Sequence, residues 1–236
     1  MVKKLVASAL YAGFAAGLIV AALQLLFTVP VILEAEKYET GVLSHFIGTA
    51  QEGATGETAK QAHEALVESE ESSFKRPFLT ILATVSTNIG FALLMVAGFA
   101  FAVSRGHEVT PRIGLVWGVA GFCAFHLLPS AGLAPELPGS AAADLHLRQV
   151  WWTATVAASA GGLALIGLGR NWLSWGLGIA LLAVPHLIGA PQPTAFAGVV
   201  PPELAADFAA KALAVAAVGW VVLGLLTAYF WQKVGL

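Results

Sequence analysis

The chain of 236 residues is 58% hydrophobic and only 11% charged, against about 25% charged in an ordinary soluble domain. A net charge of −2 offers no basic surface for nucleic acid, and the one cysteine, Cys123, allows no disulfide within the chain. No Walker-type phosphate loop and no strand-then-glycine dinucleotide fingerprint is present, so composition points to a non-enzymatic, all-α membrane protein that binds no nucleotide.

A helix needs about 20 apolar residues to cross the hydrocarbon core, and about six stretches qualify. The first runs over 5–33, too long and too uninterrupted for a signal-peptide core, and is read as a retained first helix. A polar, acidic segment at 34–76 follows, in which 52–71 can form a short surface helix. The second span is expected at 77–103, the third at 113–133, the fourth at 149–168, the fifth at 172–188 and the sixth at 208–231. Together they form a single transmembrane domain over 1–236, in contact with lipid and compatible with a homo-oligomer.

Six Lys and Arg residues fall on each side of that topology, so the count alone sets no orientation. Basic density is higher in the short loops, which favours cytoplasmic N- and C-termini and an outer 34–76 segment. Thirteen of the fourteen acids then lie outside, opposite six bases, for a net outer charge of −7. Such a face concentrates cations. Most tryptophans fall near span ends, as interfacial rings do, but Trp220 falls mid-span and fits no interface. Gly13 and Gly17, and likewise Gly114 and Gly118, are spaced four apart, which lets helix backbones approach.

Two segments share an order of motifs. One reads His126-Leu127-Leu128-Pro129, then Pro135-Glu136-Leu137, then Ala142-Ala143-Asp144. The other reads Pro185-His186-Leu187, then Pro202-Glu203-Leu204-Ala205-Ala206-Asp207. The spans are therefore expected as helical hairpins with an internal repeat, spans 3–4 matching 5–6, with spans 1–2 as a weaker third copy beginning Val29-Pro30. His126 and His186 at span ends are candidate ligands for a borderline divalent metal. The alternative at the same spacing is two interfacial histidines bonded to loop carbonyls. Glu36 and Glu39, three apart on one helix face, and Glu136, Glu203 and Asp144 are the carboxylates that could complete a site; alone they read as solvating charges. Gln24 and Asn88 are amides inside spans, suited to interhelical hydrogen bonds.

The stretches "LVASALYAGFAAGLIVAALQ", "VPVILEAEKYE", "FHLLPSAGLAPELPGSAAADLHLRQVWW" and "PHLIGAPQP…VPPELAADFAAKAL" carry a resemblance over nearly the whole chain. The sequence resembles the CbtA family of cobalt transporter subunits. That resemblance implies a bacterial inner-membrane subunit for Co²⁺ uptake linked to cobalamin metabolism, with a small single-span partner, CbtB, carrying histidines near one end. Ni²⁺ and Zn²⁺ suit the same ligand types. The competing expectations are a membrane haem protein with His126 and His186 as axial ligands, and a non-transporting membrane scaffold.

Overall fold

Prolines shape the helices of this bundle. α1 (Val2–Leu23) widens into a π turn at Gln24–Thr28 and continues as α2 (Val29–Glu39). Pro30 lacks an N–H, and its ring crowds the carbonyl four residues back. The preceding turn relieves this by opening: the Val29 N–H reaches five residues back to the Gln24 carbonyl. The same event recurs at Pro129. α4 (Pro111–Phe122) opens into a π turn at Cys123–Leu127, with Leu128 N–H bonded to the Cys123 carbonyl, before the short α5 (Leu128–Ser130). In both cases the π turn begins six residues before the proline.

The computed structural model describes residues 2–43, 56–195 and 198–234, with the side chains of residues 2 and 56–74 outside that set. Within the polar segment at 34–76, where 52–71 is expected to be able to form a short surface helix, the chain is helical from Gly56 onward, and α3 (Gly56–Ser104) runs unbroken through Pro77 into the second span. Residues 44–55 of that segment lie outside the described residues. α6 (Leu145–Leu168), α7 (Trp172–Ile188) and α8 (Pro202–Lys233) complete the bundle.

Five helical stretches among the described residues are long and apolar enough to cross a membrane, namely Lys3–Glu39, Lys75–Ser104, Pro111–Ser130, Leu145–Leu168 and Pro202–Lys233. α7 is apolar but has 17 residues, about 25 Å of helix. The architecture is the expected all-α membrane fold, with five helices long enough to span and one shorter apolar helix among the described residues.

Backbone contact at glycine organises the packing. α1 lies on α3 and α8, and α4 lies on α8. A methyl added at Gly17 would stand 2.6 Å from the Val85 Cα, and Gly13 sits as tightly against Ile89. Gly114 and Gly118 press on the backbone of α8 at Gly224 and Trp220. The central core built on these contacts contains Ala16, Met95, Phe99, Trp220, Leu223 and Trp231. α7 packs mainly on α6, while α8 packs mainly on α1 and α4, so the main contacts of the last two helices run to other helices.

The repeated motifs meet at one end of the bundle. Val31 and Ala35 of α2, Leu137 and Val200 form a second apolar cluster, with Leu204 and Phe208 against it. Ser140 and Gly198 pair across the two proline-rich loops. Thus both Pro-Glu-Leu leucines enter the same cluster, but from different backbone. In the first copy Pro138 and Gly139 (φ 77°) keep the segment irregular, and Asp144 caps α6. In the second copy no proline or glycine stands between Pro202 and Asp207, so Glu203 and Asp207 are already helical.

Candidate functional site

A cavity of about 540 Å³ opens between α1, the first π turn, α3 and α8. Its polar lining is set by helical spacing in α3: Thr80, Thr84, Thr87 and Asn88 share one face. Gln24 and Thr28 face them from the first π turn, and His126 from the second. Val20, Phe91, Ala216 and Gly219 supply apolar walls. Thr80 and Phe91 are eleven residues apart on α3, so the cavity reaches about 16 Å along that helix, starting from the end that carries the proline-rich loops.

The polar groups are tied down. Thr84 Oγ1 donates to Gln24 Oε1 at 2.6 Å, joining α3 to the first span. Asn88 Nδ2 donates to the Thr84 carbonyl at 2.9 Å. Gln24 thus makes the interhelical bond expected of it, while Asn88 bonds within its own helix. Thr28 Oγ1 donates to the Gln24 carbonyl at 3.0 Å, so this carbonyl, carrying the wide π turn, is doubly satisfied.

His126 is held by Trp220. Trp220 Nε1 donates to His126 Nδ1 at 3.0 Å. The indole is itself clamped by Phe91 at 4.7 Å and Phe125 at 5.3 Å between ring centroids. Trp220 and Phe91 line the cavity with His126, and the mid-span position of Trp220 is explained by this double role.

The two candidate histidines have different surroundings. His186, in the last turn of α7, meets Trp151 of α6 edge-on at 6.0 Å. Trp151 Nε1 donates to the Pro185 carbonyl at 3.2 Å, and His186 Nε2 is buried without a hydrogen-bond partner among the described residues. His126 lines the cavity; His186 is not among the residues that do. The carboxylates are also engaged elsewhere. Glu36 pairs with Arg76, Arg148 Nη2 bonds Glu136 at 2.6 Å, and Asp144 Oδ1 accepts from the Leu147 N–H at 3.0 Å. Glu39 ends α2 and Glu203 opens α8, both exposed. No group of three or more His, Cys, Asp or Glu side chains gathers among the described residues.

The threonines and Trp220 were not among the sequence candidates. The signal for the threonines was present: hydroxyls at 80, 84 and 87 on an otherwise apolar span form a stripe at helical period.

Fold and cavity together define a multi-span membrane protein with a largely apolar recess inside the bundle that carries a stripe of hydroxyl, amide and imidazole groups, the class to which membrane transport subunits belong. The chain is a member of the CbtA family: the family model described as "Probable cobalt transporter subunit (CbtA)" matches residues 2–232. No curated protein and no solved structure matches the chain.

Proposed function

We propose that this chain carries Co²⁺ across the bacterial cytoplasmic membrane, as the multi-span subunit of an uptake system serving cobalamin metabolism. The observation that carries the reading is the cavity: amide, hydroxyl and imidazole groups collected at membrane depth, where polar groups are costly unless they serve a path or a partner. Family membership supports cobalt as cargo. The N- and C-termini are cytoplasmic in this reading, and the 34–76 segment is outside. Glu36, Glu39, Glu136, Asp144 and Glu203 then rim the outer end and raise the local concentration of divalent cations. His126 meets the ion inside, and His186 stays outside the path. A divalent charge gains about 4.6 kcal/mol across 100 mV, so an inside-negative potential can drive uptake. A single-span CbtB-like subunit completes the system.

Co²⁺ uptake into proteoliposomes with an inside-negative potential tests this, with and without the partner. Wild type should take up Co²⁺ well above protein-free vesicles. Ala216→Trp, which fills the cavity, should abolish uptake while the protein remains inserted. Unchanged uptake in Ala216→Trp, or no uptake with the partner present, overturns the reading.

A further inference from the structure

We propose that the cavity takes the divalent ion as its aqua complex, and that Trp220 keeps His126 from becoming a metal ligand. This rests on the cavity being the path of a divalent cation.

The first support is charge. Among the described residues, every one that lines the cavity lacks formal charge. Stripping a divalent ion of water costs at least tens of kcal/mol unless charged or strong ligands replace that water, and among the described residues neither carboxylate nor thiolate faces this space. Volume agrees with the charge argument. Six waters at about 30 Å³ each fill roughly 180 Å³, well within the cavity of about 540 Å³. The waters of an aqua ion turn their O–H groups outward, and so need acceptors. Gln24 Oε1 has a second lone pair beyond the one used by Thr84, and Asn88 Oδ1 and the hydroxyls of Thr80 and Thr87 add further acceptors.

The tautomer of His126 supplies the independent support. Indole N–H is a donor only. Its bond to His126 Nδ1 therefore makes Nδ1 the acceptor, and in the neutral ring the proton sits on Nε2. A metal-ligating imidazole has the opposite arrangement, with its remote nitrogen donating outward to a carboxylate, carbonyl or water. While Trp220 holds Nδ1, neither ring nitrogen has a free lone pair. His126 is then a hydrogen-bond donor to oxygen, and Trp220 is the positioning residue that makes it so. Weak, water-mediated holding suits a conduit, where a tight inner ligand would retain the ion.

Nitrogen-15 NMR of the protein with labelled histidine reads the tautomer without any metal. His126 protonated on Nε2 is expected; protonation on Nδ1 overturns the proposal. X-ray absorption of Co²⁺-loaded protein reads the ligands. An oxygen-only shell is expected for wild type and for His126→Gln. Trp220→Phe keeps an aromatic ring against Phe91 and Phe125 but frees Nδ1. It should gain imidazole scattering and bind Co²⁺ measurably tighter, because a nitrogen lone pair becomes available to the ion. The double variant Trp220→Phe/His126→Gln should lose both changes. Imidazole scattering in wild type that disappears in His126→Gln overturns the proposal, as does Trp220→Phe binding Co²⁺ like wild type. If Ala216→Trp still blocks uptake in those cases, the transport reading stands and only the aqua-ion inference fails.

Discussion

The seam between α4 and α8 should not tolerate a single methyl group. A Cβ added at Gly114 would stand 2.5 Å from the Ala228 Cβ, where carbon atoms ordinarily rest about 3.5–4.0 Å apart. The helices must separate by about 1 Å, and the Gly118 contact further along the same seam opens with them. Overpacking of this kind costs about 1–3 kcal/mol. Gly90, in α3, offers the control, because an added methyl there meets nothing within 4 Å among the described residues. Both substitutions gain the same helix propensity, about 0.5–1 kcal/mol. Gly114→Ala should therefore unfold more readily than Gly90→Ala by about 1–3 kcal/mol, measured by denaturant titration in mixed micelles. Equal midpoints and slopes for the two variants would refute backbone contact as the organising feature of the bundle.

Four further outcomes are expected. Asp144→Ala loses the α6 cap and about 1 kcal/mol of stability, with Co²⁺ uptake retained; loss of uptake at unchanged stability would make Asp144 a ligand after all. A double-mutant cycle on Glu136 and Arg148 should give a coupling of about 0–1 kcal/mol, as for other partly exposed pairs, and a much larger value would mark a functional network. Thr84→Val removes the donor to Gln24 at a cost of about 0.6–2 kcal/mol and slows uptake; full activity would take Gln24 and Thr84 out of the path. His186→Ala should bind and carry Co²⁺ like wild type, and impaired flux in vesicles would return His186 to the metal route.

Span number and type were legible because apolar length is a direct consequence of bilayer thickness, and the 172–188 span agrees to the residue with α7. The glycine pairs foretold their seams for a similarly local reason: spacing of four puts both on one face. Helix ends were harder to read. α8 begins six residues before the expected start at 208, because Pro202 and an alanine-rich run propagate helix into the interface. The pairing of α7 with α6 and of α8 with α1 and α4 depends on tertiary packing, which no local pattern encodes. His126 was singled out by its polarity in an apolar setting, but its role depends on Trp220, 94 residues away. The carboxylates looked available in sequence because Arg76, Arg148 and the α6 N-terminus were not yet visible as their partners. The two π turns could have been suspected from Val29-Pro30 and Leu128-Pro129, since a proline late in a long apolar helix forces some local adjustment.

Transport through the cavity is tested most directly by blocking it chemically in a working vesicle. A single cysteine at position 84 is introduced in a Cys123→Ala background, and Co²⁺ flux is recorded before and after a water-soluble thiol reagent is added. If the ion passes between α1, α3 and α8, modification of Thr84→Cys stops the flux and Co²⁺ slows the modification. Stoichiometric modification with undiminished flux would contradict the account, because the ion would then cross by another route.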